Sequence, residues 1–192
     1  VESHFNSTTG YGYSDAGRSV IEQIFKDVLG SEDALVRSQF ISGSHALNVC
    51  FFALLRPSDM LLSISGKPYD TLEEVIGIKD NPSSLKSYGI NYSQIDLVDN
   101  DFDYDKIEKF LKNNKVCVIE IQRSKGYSTR SSLGIEQVAK VVKFIKEIDK
   151  TDSPIYFYYF FKSIQYFYIW RKNLFRHFIL LLNIIVLPYI TQ

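Results

Sequence analysis

Between an apolar extended run and an apolar helical run, the stretch "QFISGSHALNVCFFALLRPSD" places a small polar knot, Ser42-Gly43-Ser44-His45. The first turn of a helix presents backbone N–H groups that the helix itself does not use, together with the positive end of its dipole. Gly43 puts no Cβ between a ligand and that backbone. The chemistry such a turn performs is anion binding, most simply of a phosphate. An ordinary helix cap uses the same residue types, and no Gly-Lys-Ser/Thr follows, so a Walker-type nucleotide loop is excluded. His45, one step into an apolar helix, reads as a capping or packing histidine rather than a base.

Two further stretches carry chemistry-bearing types. "SGKPYDTLEEVIG" presents Tyr69 where a loop becomes a helix, with Asp70 or Thr71 to cap it. An aromatic there can stack on a flat, electron-poor ring, or be an ordinary half-buried tyrosine. Upstream, "TTGYGYSDAGR" sets Tyr11, Tyr13 and Arg18 among glycines, an arm suited to reaching an anion.

The elements that must position these residues follow from apolar periodicity. "SVIEQIFKDVLG" gathers Val20, Ile21, Ile24, Phe25, Val28 and Leu29 on one helical face, with Gly30 as a stop signal. Then come a strand in "DALVRSQFIS", a buried helix ended by Pro57, a strand at "DMLLSIS", a helix at "YDTLEEVIG" and a strand at "INYSQIDL". "DYDKIEKFLKNN" continues as a helix, "KVCVIEIQ" as a strongly apolar strand, and Gly134 to Ile148 as a long amphipathic helix. Regular alternation of this kind predicts an α/β fold, a mainly parallel sheet with helices on both faces. Ligands in such sheets bind at the carboxyl ends of strands, where the knot at Ser42 lies.

The composition narrows the class. With 22 Lys+Arg against 22 Asp+Glu there is no basic footprint for nucleic acid. Cys50 and Cys117 both lie in apolar runs and read as small buried hydrophobes rather than a disulfide or a metal site, which fits a reducing, cytoplasmic setting. The N-terminus has no signal-peptide pattern and no initiator Met, as expected of a chain that begins inside a longer protein.

Taken together, "TTGYGYSDAGRSVIEQIFKDVLGSEDALVRSQFISGSHAL", "LRPSDMLLSISGKPYDTLEEVIG" and "IQRSKGYSTR" resemble the methionine gamma-lyase family proteins also called aluminium resistance proteins. This is a branch of the fold-type I pyridoxal-phosphate enzymes related to the Cys/Met metabolism lyases. The resemblance runs from about Phe5 to Ile148. It implies that Ser42, Gly43 and Ser44 cradle the phosphate of pyridoxal 5'-phosphate and that Tyr69 stacks on its pyridine ring. It assigns the arm, with Tyr11, Tyr13 and Arg18 as candidates, to the phosphate site of a neighbouring subunit in a homodimer or homotetramer. The spacing of these three departs from the family's Tyr-Ser-Arg. "QRSKGY" should face the same cavity, with Arg123 the candidate for a substrate carboxylate, against the alternative of a surface or phosphate-side arginine. The implied activity is carbon–sulfur bond cleavage in a small sulfur amino acid. In the family, an aspartate that protonates the ring nitrogen and a Schiff-base lysine come later than the region matched.

The chain divides into an arm (1–18), a partial large domain (19–154) and a tail (155–192). That tail holds 13 of the 28 aromatics and no Gly, Asp or Glu, and the last acid in the chain is Asp152. Such a shift resembles aberrant translation, and neither Lys162 nor Lys172 has the family's motif around it. No catalytic residue is therefore assigned, and the chain is expected to be a fragment without turnover of its own. A non-catalytic remnant that dimerises or binds phosphate is the alternative. A membrane-tethered module is the other, although Phe178 to Ile190 is shorter than the roughly 20 residues of a spanning helix.

Overall fold

The computed structural model describes residues 1–6, 13, 15–29, 33–37, 39–126 and 128–148, together with the backbone of strands 155–161, 164–170 and 179–182. After a 3-10 turn at Glu2–Phe5, the elements are α1 (Ala16–Leu29), β1 (Asp33–Val36), α2 (Gly43–Leu54), β2 (Met60–Ser63), α3 (Asp70–Ile76), β3 (Asn91–Gln94), α4 (Tyr104–Asn113), β4 (Val118–Gln122), α5 (Ile135–Ile148), β5 (Ile155–Phe161), β6 (Ile164–Trp170) and β7 (Ile179–Leu182). Five strands form one sheet in the order β3-β2-β4-β5-β6, and β1 pairs separately with β7. All of these pairings are parallel except the β5–β6 hairpin. The backbone of β5 thus continues the sheet beside β4, with Glu120 opposite Tyr156.

Alternation along β2 and β4 sends side chains into two core layers. Leu61 and Val118 face the layer filled by Leu47, Phe51, Leu72 and Ile76 from α2 and α3. Leu62, Ile119 and Ile121 face the layer filled by Ile107 from α4 and Val138, Val141 and Ile145 from α5. All five residues of β4 are buried, as a central parallel strand requires.

The helix ends follow their capping residues. Ser42 caps α2, its Oγ accepting the His45 N–H at 3.0 Å. Arg56, just before Pro57, donates Nη1 to the carbonyls of Ala53 at 3.1 Å and Leu55 at 2.9 Å, closing that helix. Gly77 ends α3 at φ 92°, where an added Cβ would lie 2.6 Å from Ser84 Oγ. Asp103 caps α4 by accepting the Lys106 N–H at 3.0 Å.

Two expectations are corrected. The strands read in "DALVRSQFIS" and "INYSQIDL" stop early, at Val36 and Gln94. After Val36 the chain turns, with Phe40 N–H on Arg37 O, and β3 is an edge strand supported only by β2. The apolar face of α1 is not wholly covered either: Ile24 is 52% and Val28 74% exposed, since among the described elements α1 packs mainly on β1 and the N-terminal 3-10 turn. Gly30 lies outside the described residues. Among those described, no helix is long and apolar enough to cross a membrane.

Candidate functional site

Two helix N-termini meet at the carboxyl-end side of the sheet. In the first turn of α2 the His45 amide is taken by Ser42 Oγ and the Ala46 amide by Ser42 O. The amides of Gly43 and Ser44 are the donors that helix geometry leaves for another acceptor. Gly43 is buried, and Ser44 Oγ lies 2.6 Å from Thr71 Oγ1 in the first turn of α3. This contact ties the polar knot to the helix that begins at Tyr69. The His45 ring accepts the Ile41 N–H through Nδ1 at 3.4 Å and packs edge-on against Phe40, the capping and packing role expected of it.

Tyr69 is the N-cap residue of α3 and is held from β4: its N–H donates to Gln122 Oε1 at 2.6 Å. The ring lies against the backbone of Gly126, where a Cβ would come within 2.8 Å of Cδ2 and 3.1 Å of Cε2. Gly126 adopts φ +56°, in the region that favours glycine. A cavity of about 620 Å³ opens beside this pair, lined among others by Gly66, Lys67, Tyr69, Asp96, Gln122 and Lys125.

The loop after β4 is clamped by Arg130, which also lines the cavity. Its Nη2 donates to the carbonyls of Gln122 at 2.9 Å and Ser124 at 2.7 Å, and its Nη1 to Ser131 O at 2.9 Å. Gln122 Nε2 adds a bond to Ser124 O at 3.0 Å. Facing this loop, Lys67 pairs with Glu73 at 2.9 Å.

The sequence-derived candidates are therefore only partly brought together. Ser42, Gly43 and Ser44 adjoin the α3 helix whose N-cap is Tyr69. Arg123 is half-buried, its carbonyl accepting the Leu133 N–H, and it does not line the cavity. Tyr13 is 80% exposed. Arg18 donates its backbone N–H to Asp15 and belongs to a charged group with Glu22 and Arg37 at β1, where Glu22 and Arg37 form an ion pair. Tyr11 lies outside the described residues. Thr71, expected with Asp70 as a helix cap, instead meets Ser44, because the N-cap of α3 is Tyr69, with no side-chain cap. Gln122, Gly126 and Arg130 received no individual role from the sequence. The glycine in "QRSKGY" was their one available signal. Among the described residues no cluster of three or more His, Cys, Asp or Glu could hold a metal ion.

A mainly parallel sheet covered on both faces by helices gives the chain the α/β fold of a fold-type I transferase-like large domain, truncated relative to the solved structures it matches. The family model for methionine gamma-lyase matches residues 1–157, and the chain belongs to that family. It is 48% identical over 152 residues to the Bacillus subtilis protein YnbB, covering 78% of this chain and 36% of that protein. A solved structure from Clostridium acetobutylicum, described as a candidate cystathionine beta-lyase involved in aluminium resistance, superposes with a TM-score of 0.77 at 38% identity, covering 82% of this chain and 38% of its own. The carbon-sulfur lyase involved in aluminium resistance from Clostridium novyi gives a TM-score of 0.73 at 42% identity, covering 79% and 36%. The chain spans little more than a third of the length of these relatives.

Proposed function

We propose that this chain carries the phosphate-holding and ring-stacking part of a pyridoxal-phosphate-dependent carbon–sulfur lyase acting on small sulfur amino acids. The observation that carries this reading is the Ser44–Thr71 contact, which sets the α2 N-terminus beside the helix that presents Tyr69. The residues fit the cofactor. The amides of Gly43 and Ser44, with the paired Ser44 and Thr71 hydroxyls beside them, offer phosphate donors, and Gly126 covers one side of the Tyr69 ring. When bound, pyridoxal phosphate supplies an electron sink for the pair of electrons left when a substrate loses its α-proton.

The chain's own residues bind and orient. Gly43 and Ser44 donate to the phosphate, Tyr69 fixes the ring plane, and Gln122 with Arg130 keeps the β4 loop against that tyrosine. Arg123 is retained as the candidate for the substrate carboxylate. The arm with Tyr11, Tyr13 and Arg18 is assigned, on the family resemblance, to a second subunit's phosphate site.

Titration of the purified chain with pyridoxal phosphate, followed by tyrosine fluorescence and by phosphorus NMR, tests this. Binding weakened about tenfold in both Ser44→Ala and Tyr69→Ala is expected, since each removes roughly 1.5 kcal/mol of hydrogen bonding or stacking. Binding indifferent to both changes would place the phosphate elsewhere and end the proposal.

A further inference from the structure

The loop from Ile64 to Tyr69 hangs on a hydrogen-bond chain whose proton count does not close with an ionised glutamate. Ser63 Oγ lies 2.7 Å from Gly66 O and 2.6 Å from Glu120 Oε2; Ser63 and Glu120 are register partners in the buried strand pair β2–β4, and Gly66 lies in the loop that follows β2. A serine hydroxyl has one hydrogen, and the Gly66 carbonyl only accepts. If Ser63 donates to Gly66, the bond to Glu120 needs a hydrogen from the acid. Glu120 is 2% exposed, and its other oxygen, Oε1, has no hydrogen-bond partner among the described residues. An unpaired carbonyl oxygen of a neutral acid is tolerable there, and an unpaired carboxylate oxygen is far less so.

We propose that Glu120 is a positioning residue that works as a neutral acid: it donates its proton to Ser63 Oγ, so that Ser63 donates to the Gly66 carbonyl and fixes the loop that delivers Tyr69. The loop has matching attachments. Gly66 N–H donates to Ile95 O at 3.0 Å, Ser65 Oγ accepts the Gln122 N–H at 2.7 Å, and Gly66 adopts φ +82° with Asp96 Oδ1 at 3.4 Å from an added Cβ. On ionisation the Ser63 hydrogen turns to the carboxylate. The Gly66 carbonyl is then left facing an oxygen lone pair, and the loop loses its central tie.

The surrounding groups favour the neutral form. Arg130, from the loop after β4, acts toward the charged form, but burial outweighs it. Tyr92 on β3 has its phenol kept protonated chiefly by burial, and the acids near it, Asp96 and Glu73 beside Glu120 in its ionised form, act in the same direction. From α2 the same core layer receives Cys50, whose thiol burial keeps neutral. The register neighbour on β5 is Tyr156.

Infrared difference spectra of the full chain against Glu120→Gln, below neutral pH, are expected to show a protonated-carboxyl stretch that the variant lacks. Hydrogen exchange of the peptide covering Gly66 to Tyr69 gives the second readout. Relative to Glu120→Gln, whose amide can still donate to Ser63, wild-type protection should fall by roughly tenfold from one pH unit below to one unit above about pH 7, as the acid fraction falls. Ser63→Ala should lose that protection at every pH. No acid stretch in the wild type, or loop protection that tracks Glu120→Gln across the range, overturns the proposal. Its functional side rests on Tyr69 as the stacking residue and separates cleanly. Loop protection that changes as stated while pyridoxal phosphate affinity stays flat upholds the proton assignment and sinks the stacking role.

Discussion

Replacing Gly126 by alanine probes the wall behind Tyr69 with a single methyl group. The new Cβ would sit 2.8 Å from Cδ2 and 3.1 Å from Cε2 of the tyrosine ring, inside the contact distance that real Cβ atoms show. Two costs add. Holding a non-glycine residue at φ +56° costs about 1–2 kcal/mol. Relief of the clash requires the ring to withdraw by several tenths of an ångström, while its backbone stays tied to Gln122 Oε1. A strained rotamer of that size costs roughly 0.5–1.5 kcal/mol. The expected outcome is a destabilisation of about 2–3 kcal/mol by urea denaturation, with pyridoxal phosphate affinity reduced at least tenfold at a temperature where the variant is folded. In Tyr69→Ala the clash has nothing to meet, so adding Gly126→Ala there should cost only the backbone part. A double-mutant cycle whose two steps simply add would refute the contact between these residues as the source of the effect. So would a stability gain in Gly126→Ala, the result when alanine suits the native backbone.

The buried carboxyl of Glu120 is pushed up to about 7 by burial from an ordinary 4.5, so its contribution is fully present below about pH 4.5 and is lost as pH rises through about 7; the shift amounts to roughly 3 kcal/mol. Denaturant midpoints of wild type should decline across that window by more than those of Glu120→Gln, and parallel curves would contradict it. Leu62, wholly buried between the sheet and α4–α5, should cost about 2–5 kcal/mol as alanine by urea denaturation, and a loss below about 1 kcal/mol would contradict its burial. The Cys50 thiol, buried and raised to about 12, should resist thiol reagents in the folded chain, while Cys117, partly exposed and bonded to Asp59 at 3.1 Å, reacts first. Equal rates for the two would show that α2 opens readily.

The sequence was most informative where a feature is local. Helices α2 to α5 were visible in their apolar spacing, Ser42 in its position before an apolar run, and Tyr69 in its place at a loop-to-helix junction. What escaped were relations between residues far apart in the chain. Gln122 acquires its role only because β4 pairs with β2, which brings it to an amide 53 residues earlier. Glu120 reads as a polar interruption in "KVCVIEIQ" until Ser63 is set beside it. Periodicity showed that α1 has an apolar stripe without showing how much of it the chain itself would cover. Strand ends were misjudged at β1 and β3, where pairing to a neighbour rather than residue preference decides how far a strand extends.

The order of strands carries a consequence for synthesis on the ribosome. Ser42 to Ser44, Tyr69 and Thr71 all emerge in the first half of the chain, and β2 can pair with β3 as soon as Gln94 is out. The groups that hold Tyr69 in place, Gln122 and Gly126, emerge some fifty residues after it. A nascent chain that stops short of them has the α2 and α3 N-termini and a tyrosine with no wall behind it. Because chains are made N-terminus first, the pocket around Tyr69 is completed only when β4 reaches the centre of the sheet and brings Gln122 and Gly126 with it.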